Sequence, residues 1–402
     1  AFEAEPDRVR FVATLAAAWA RLRNTPANER RIGLVLANYP NQKGRIGNGV
    51  GLDTPESTAV VLNTLAEAGY QVDGCPANGE DLMDLLSTGI TNDHRENIGI
   101  ASSDYVSIAA YREMFSALPD AAREATNDRW GLPEDDPFFR AHEHGGAFAV
   151  PVRRFGNISV MVQPARGYNI DPVATYHDPA LVPPHGYFAA YFWLRQVFSA
   201  HAIVHVGKHG NLEWLPGKAL ALSSACMPEA VLGPMPHIYP FIVNDPGEGS
   251  QAKRRAQAVI IDHLTPPLTR AESYGELREL ETLVDEYFEA SQMDRRRLKP
   301  LAERILSLVR SLRLDTDCDI AEDEPTDGAL AKLDGYLCEL KEMQIRDGLH
   351  IFGRTPQDDQ RRDLLTALAR CPRGGRDADR SLTRALATDL ELEFDPLDCD
   401  MA

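Results

Sequence analysis

Two histidines and a carboxylate, His205, His209 and Glu213, recur at four-residue intervals in HAIVHVGKHGNLEWLPGKALALS (201–223). Neutral imidazole combined with carboxylate suits a borderline divalent metal such as Co, Ni or Zn. The same groups accept protons, so one cluster could hold a metal and deprotonate whatever that metal enters. On a continuous helix the three would share a face. Gly207 and Gly210 argue against that helix, each costing about 1 kcal/mol relative to Ala in a helix interior. The segment reads instead as a buried strand, 202–206, followed by a loop, 207–211. Strand alternation puts His201, Ile203 and His205 on one face. His205 then lies at the strand's carboxyl end, where open α/β sheets bind ligands. Asn211 reads as the cap of a short helical turn that Pro216-Gly217 ends. The spacing equally fits ordinary loop or core histidines, and it lacks the His-Glu-x-x-His order of zinc peptidases.

The elements that must position these residues follow from periodicity. A helical pattern covers 9–23, and RIGLVLAN (31–38) reads as a buried strand. The loop KGRIGNGVG (43–51) carries Gly44, Gly47, Gly49 and Gly51, whose neighbouring N–H groups could meet a carboxylate or phosphate, although it misses the Gly-x-Gly-x-x-Gly spacing. A helix over 55–68 capped by Thr54 follows, then a second strand near 70–72. Residues 116–150 mix Pro, Asp, Glu and Gly and read as a connection, with His142 and His144 in an exposed loop. A second α/β stretch comprises strand 157–163, turn 165–168, helix 187–199, the strand and loop above, a helix from about 229, a Pro-rich run and a helix over 250–263. The start of that last helix could bind an anion, aided by Lys253, Arg254 and Arg255. Thr269 and Glu272 have capping-box spacing. Apolar stripes at Leu277, Leu280, Val284 and Tyr287, at Leu301, Ile305, Leu308 and Leu312, and at Leu330, Leu333, Leu337 and Leu340 read as core. The acidic stretches 315–327 and 389–400 read as solvated loops. The expected class is α/β, parallel-sheet doubly wound units with a mainly helical C-terminal part. The divisions are 1–115, 116–150, 151–268 and 269–402.

At 402 residues the chain is long enough for two or three domains. Its 44% hydrophobic and 25% charged residues carry no signature of disorder. A net charge of −18 argues against a nucleic-acid surface, and it attracts cations too generally to support a metal site. Six scattered cysteines without a Cys-x-x-Cys pair suit a reducing, cytoplasmic setting. The apolar run 11–20 is too short for an integral membrane segment and reads as an amphipathic helix. The first residue is Ala, as expected of a segment of a larger subunit. The sequence carries no Gly-x4-Gly-Lys-Ser/Thr loop, so any ATP hydrolysis belongs to another polypeptide or to further sequence.

Long stretches go beyond spacing. VHVGKHGNLEWLPGKALALS, GLDTPESTAVVLNTLAEAGY (51–70), QPARGY (163–168), VPPHGYFAAYFWLR (182–195), IYPFIVNDPGEGSQAKRRAQAVIIDHLTPPL (238–268) and ELKEMQIRDGLHIFG (339–353) resemble the large subunits of class I metal chelatases. That family comprises the cobaltochelatase of aerobic cobalamin synthesis and the magnesium chelatase of chlorophyll synthesis. The resemblance runs from about 31 to 353. It leans to the cobalt branch, since the magnesium branch has Thr for Lys208, Ala for Asn211 and Phe-Met for Trp214-Leu215. It implies ATP-dependent insertion of Co2+, as substrate metal, into a corrin-type tetrapyrrole, hydrogenobyrinic acid a,c-diamide. It also implies two partners, an AAA+ ATPase subunit with its ATP and Mg2+, and a third chelatase subunit. In that reading His205 and His209 deliver the metal, and Glu213 is co-ligand or proton acceptor. Trp214 offers an apolar face to the ring, Lys208 and Lys218 meet its carboxylates, and Gly47 and Gly49 face it. Arg166, His177 and His185 stand in matching motifs. The alternatives are a magnesium or nickel chelatase subunit, a non-catalytic tetrapyrrole or metal carrier, and a metal-dependent hydrolase.

Overall fold

The aliphatic run IGLVL makes β1 (Ile32–Leu36), whose five residues are all buried. Its alternation divides them between two cores. Ile32, Leu34 and Leu36 pack with Leu62, Leu82 and Leu86 of the helices Thr54–Glu67 and Gly79–Ser87. Val35 faces the opposite side, against the aromatic helix His185–Phe192. Burial on both faces is the usual condition of a parallel strand. Gly33 leaves room for Leu194, whose Cδ2 lies 2.6 Å from where a Cβ would stand.

The computed structural model describes residues 3–38, 48–49, 51–92, 97, 100, 104–141, 145–167, 180–207, 210–243, 246–264, 279–280, 282–284, 286–287, 297–312, 314, 318, 320, 326, 329–330, 332–333, 349–372, 381–395 and 397. They fall into two units, 1–265 with 350–355, and 266–349 with 356–402. In the first, short β2 (Asn48–Gly49) pairs antiparallel with β3 (Leu52–Asp53). Strands β4 (Tyr105–Ser107), β5 (Phe139–Arg140) and β6 (Ala147–Ala149) form a three-stranded antiparallel sheet in the order β4-β6-β5. The main sheet adds β7 (Val152–Phe155), β8 (Ile158–Val162), β9 (Ala202–Val206), β10 (His237–Ile242) and β11 (Val259–His263) to β1. Its order is β11-β10-β9-β1-β8-β7. All its pairings are parallel except the β7–β8 hairpin at one edge.

The second unit is helical where described, with helices Leu298–Ser311, Asp358–Ala369 and Leu382–Asp389. Leu280, Val284, Leu301, Ile305, Leu330 and Leu333 from the expected stripes lie in its buried core. The α/β class with a helical C-terminal part is the one expected.

Several local expectations are corrected. The two α/β stretches share one sheet, with β1 between β8 and β9; parallel pairing over such sequence distances leaves no local trace. Residues 116–150 hold β5, β6 and the helix Asp120–Trp130 rather than a plain connection. No strand forms at 70–72, which is irregular chain. Asp53, not Thr54, caps its helix, accepting from the Glu56 N–H at 3.0 Å. The Pro-rich run contains β10, in which Pro240 stands beyond His237 and Ile238, the residues that pair with β9. The expected helix 250–263 is instead a helix, Pro246–Arg255, followed by β11. Among the described residues no helix is long and apolar enough to cross a membrane.

Candidate functional site

The chain leaves β1 with β8 on one side and β9 on the other, which makes β1 the topological switch point of the sheet. Crevices outside the carboxyl ends at such points are where open α/β sheets take ligands. Three segments meet there: Ala37-Asn38 after β1, 163–167 after β8 and the loop from Gly207 after β9. They are tied by backbone bonds from Ala37 N–H to the Val206 carbonyl and from Gln163 N–H to that of Leu36, both 2.9 Å. Gly207 turns the chain with φ +96, and a Cβ there would lie 2.8 Å from Thr54 Oγ1.

Glu213 is 2% exposed in the middle of a single 3₁₀ turn, Leu212–Trp214. Arg255, at the end of its helix, holds the backbone of this loop by donating to three carbonyls. The distances are 2.7 Å to Glu213, 2.7 Å to Leu215 and 3.1 Å to Lys218. Tyr239 of β10 holds the loop's other side. Its hydroxyl accepts the Gly210 N–H at 2.6 Å and faces the Gly207 carbonyl at 3.3 Å and Glu213 Oε1 at 3.5 Å. Burial, reinforced by the Glu213 charge, pushes the Tyr239 phenol well above its usual range, so it stays protonated. Gly210 lets this cluster close, since a Cβ there would stand 2.8 Å from the Tyr239 hydroxyl and 2.9 Å from Glu213 Oε2. Asn211 does not cap the turn with its side chain. It accepts from the Tyr187 hydroxyl at 2.6 Å and donates to the Pro164 carbonyl at 3.4 Å, joining the loops after β8 and β9.

Behind Glu213 runs a directed chain of hydrogen bonds. His237 Nδ1 lies 2.8 Å from the Ala256 carbonyl, an acceptor only, so Nδ1 carries the proton. Burial draws the His237 pKa down to about 4, leaving its Nε2 a bare acceptor at neutral pH. His205 Nδ1, 2.7 Å away, must donate to it. His205 Nε2 is then an acceptor, and the Tyr191 hydroxyl donates to it at 2.9 Å. Burial and the neighbouring His237 hold His205 well below its usual range. Tyr191 in turn stacks on Tyr187, ring centroids 5.3 Å apart, one helical turn away on the same face.

The expected site residues therefore part ways. Glu213 lies in the crevice wall. Among the rim residues, the Trp214 indole is 38% exposed, and Lys218 is exposed. His205 is sealed, and the lone pair expected to ligate a metal is already taken by Tyr191. Arg166 is half-buried in the loop after β8 and reaches the Leu181 carbonyl at 3.5 Å. His185 is corrected from a substrate contact to a core residue. It is fully buried, with Nε2 toward the Gly131 carbonyl at 3.0 Å and Nδ1 on the Tyr111 hydroxyl at 2.7 Å. Gly49 pairs with Leu52 in the β2–β3 ladder. Gly47, His177, Lys208 and His209, together with His142 and His144, lie outside the described residues. Among the described residues no group of three or more His, Cys, Asp or Glu could hold a metal ion. Sequence reasoning missed Tyr191, His237, Tyr239 and the stapling role of Arg255. The alternation His237, Tyr239, Phe241 in HIYPFI was the available signal.

Comparison with known proteins adds independent findings. The family model described as CobN/Magnesium Chelatase matches residues 1–401. An aerobic cobaltochelatase subunit CobN of Sinorhizobium sp is 56% identical over 98% of this chain and 32% of its own length. A magnesium-chelatase subunit of Chlorobaculum parvum is 34% identical over 87% of this chain and 27% of its own. The catalytic subunit of cobaltochelatase from Mycobacterium tuberculosis superposes with a TM-score of 0.68 at 42% identity, covering 96% of this chain and 33% of that one. The chain thus spans about a third of the length of these relatives.

Proposed function

Because the chain belongs to the CobN/Magnesium Chelatase family, we propose that it is the ring- and metal-handling segment of a cobaltochelatase, inserting Co2+ into hydrogenobyrinic acid a,c-diamide during cobalamin synthesis. Its greater identity to the cobalt enzyme than to the magnesium-chelatase relative supports this metal. ATP and Mg2+ are held by a partner AAA+ subunit, with a third chelatase subunit completing the assembly.

The carrying observation is Glu213, a buried carboxylate set at the sheet's switch point. Insertion of the divalent ion displaces the inner N–H proton of the corrin-type ring, so the site needs an acceptor beside the ring nitrogens. The Tyr239 phenol is held protonated, and the acceptor nitrogens of His205 and His237 are both occupied. Glu213 is the carboxylate among these groups, an acceptor by its chemistry. It takes the ring proton, and His209 presents the metal from the same loop. His205 serves behind them, fixing Tyr191 and, through His237, the end of the neighbouring strand. Trp214 supplies an apolar platform for the macrocycle, and Lys218, with Lys208, pairs with its acidic side chains. Arg166, Gly47 and Gly49 contact the macrocycle in this reading.

The test uses the full-length protein with its partner subunits, ATP, Co2+ and the macrocycle. Glu213→Gln leaves macrocycle affinity within about threefold and lowers metallated-ring formation by roughly a hundredfold or more, on the scale of a lost acid–base group. Wild-type turnover in that variant removes the acceptor role. Tight ring binding without metallation by the wild-type assembly makes the protein a carrier, and preference for Mg2+ moves it to the other branch.

A further inference from the structure

Gln163, the first residue beyond β8, carries a side chain that the reading above leaves without a task. It is fully buried, and neither its amide oxygen nor its amide nitrogen reaches a hydrogen-bond partner among the described residues. Its main chain, by contrast, is engaged at both ends. The Gln163 N–H goes to the Leu36 carbonyl at 2.9 Å, and the Gln163 carbonyl accepts from Asn92 Nδ2 at 2.8 Å. Asn92 Oδ1 in turn accepts the Ala165 N–H at 3.2 Å. The backbone thus fixes where this side chain starts and leaves its amide empty. A buried amide without partners forfeits its hydration and gains nothing in return.

Strand pairing places that amide at the crevice. Met161 of β8 and His205 of β9 flank Val35 in one row across the sheet. Gln163 stands two residues beyond Met161, on the same face by strand alternation and one row nearer the carboxyl mouth. Met161 shares its core with Tyr191. Burial pushes the Tyr191 phenol well up, and Tyr187 and then Gln163 pull against it. The carbonyl of the next residue, Pro164, accepts from Asn211 Nδ2 at 3.4 Å, which ties this spot to the loop of Glu213. The chemistry of the empty group then selects its ligand. A primary amide has two N–H donors and a carbonyl acceptor to satisfy. A carboxylate would meet the donors only, set its charge against the amide oxygen, and lose far more hydration on burial than a neutral group does. Another primary carboxamide offers a carbonyl to the N–H and an N–H to the carbonyl. That match holds whichever way the Gln163 amide is turned.

We propose that Gln163 reads a primary carboxamide on the rim of the macrocycle through paired N–H···O bonds, and so selects an amidated ring over its carboxylate form. This role rests on the chelatase reading and deepens it by naming the residue that tells the diamide from the corresponding diacid.

The experiment measures ring affinity of the full-length protein from the absorption of the macrocycle, without metal, ATP or partner subunits. Three rings are compared: the a,c-diamide, the same ring with both amides as carboxylates, and the same ring with both as methyl esters, which accept hydrogen bonds but donate none. The unaltered protein should bind the diamide roughly tenfold or more tighter than either other ring, the scale of one or two hydrogen bonds. Gln163→Met keeps an unbranched side chain of similar volume and removes the amide, and there the preference should shrink to within about threefold. A side chain that only supports the fold would weaken all three rings equally, which overturns the role. Metallation by the assembly together with an unchanged preference in Gln163→Met overturns the role alone, whereas no binding of any ring by the unaltered protein overturns the chelatase reading with it. Crystals of the unaltered protein with the diamide should show a ring carboxamide on Gln163 Oε1 and Nε2, whatever the folding of the variant. An ordered water or another side chain on those atoms overturns the assignment.

Discussion

Replacing Arg255 by Met should loosen the loop that carries Glu213 while leaving the sheet intact. The guanidinium is 8% exposed and donates to the carbonyls of Glu213, Leu215 and Lys218. Hydrogen bonds from a charged donor contribute about 1.5–3 kcal/mol each. Part of that sum is offset by the cost of burying the cation, which is also what lowers the Arg255 pKa. Met fills much of the side-chain volume but leaves three carbonyls without their donor. A net local loss of about 3 kcal/mol follows, which raises the opening equilibrium roughly a hundredfold. Hydrogen exchange reads this directly. Trp214 N–H on the Asn211 carbonyl and Met227 N–H on that of Pro216 should lose protection, while amides of β1 keep theirs. Arg255→Lys, a point charge without the fork, recovers only part of it. Unchanged exchange at 212–218 in a folded Arg255→Met protein, or an equal loss in β1, refutes the staple.

Acid should weaken the fold through His237. Its pKa is near 4 folded, against 6.5 for the unperturbed group. Above about 6.5 neither state binds the proton; between 6.5 and 4 the unfolded chain binds it first. Stability is therefore complete at the upper end of that window and lost on descending through it, by up to about 1.4 kcal/mol per pH unit. Urea midpoints taken across it should flatten in His237→Phe, and an identical slope in both proteins discounts the histidine. Gly207→Ala combines φ +96 with a Cβ 2.8 Å from Thr54 Oγ1 and should cost about 1–3 kcal/mol. Gly74→Ala, at φ +68 with nothing within 4 Å, should cost only about 1–2 kcal/mol of backbone strain; equal costs in denaturant titrations dismiss the close approach. Gly210→Ala must displace Tyr239 or Glu213. It should cut metallation by about tenfold or more while far-ultraviolet circular dichroism stays the same, and full activity would show that the cluster tolerates spreading.

Local pattern carried most of the elements. IGLVL and AIVHV read as buried strands because parallel strands covered on both faces are continuously apolar. The stripes of Leu301, Ile305, Leu330 and Leu333 read as core because helical period alone decides them. What failed was non-local or hidden by composition. Pro240 disguised β10, and Arg254, Arg255 and Ala256 extended an apparent helix into β11. The sharing of one sheet by β1, β8 and β9 depends on pairing across more than a hundred residues, which no window of sequence contains.

The site was legible in place but not in division of labour. The even spacing of His205, His209 and Glu213 invites a single ligand set, yet the backbone between His205 and Glu213 passes from strand to turn to 3₁₀ helix. Equal intervals then no longer mean equal directions. His205 points back into the sheet, where His237 and Tyr191 take both its nitrogens. Glu213 is turned to the crevice by a clamp that depends on Tyr239 and Arg255, residues 26 and 42 positions away. A histidine whose second nitrogen already accepts from a buried tyrosine, as His205 does, cannot bind a metal there without breaking that bond. The discriminating property of a metal-binding histidine is thus the partner of its other nitrogen, which spacing does not encode.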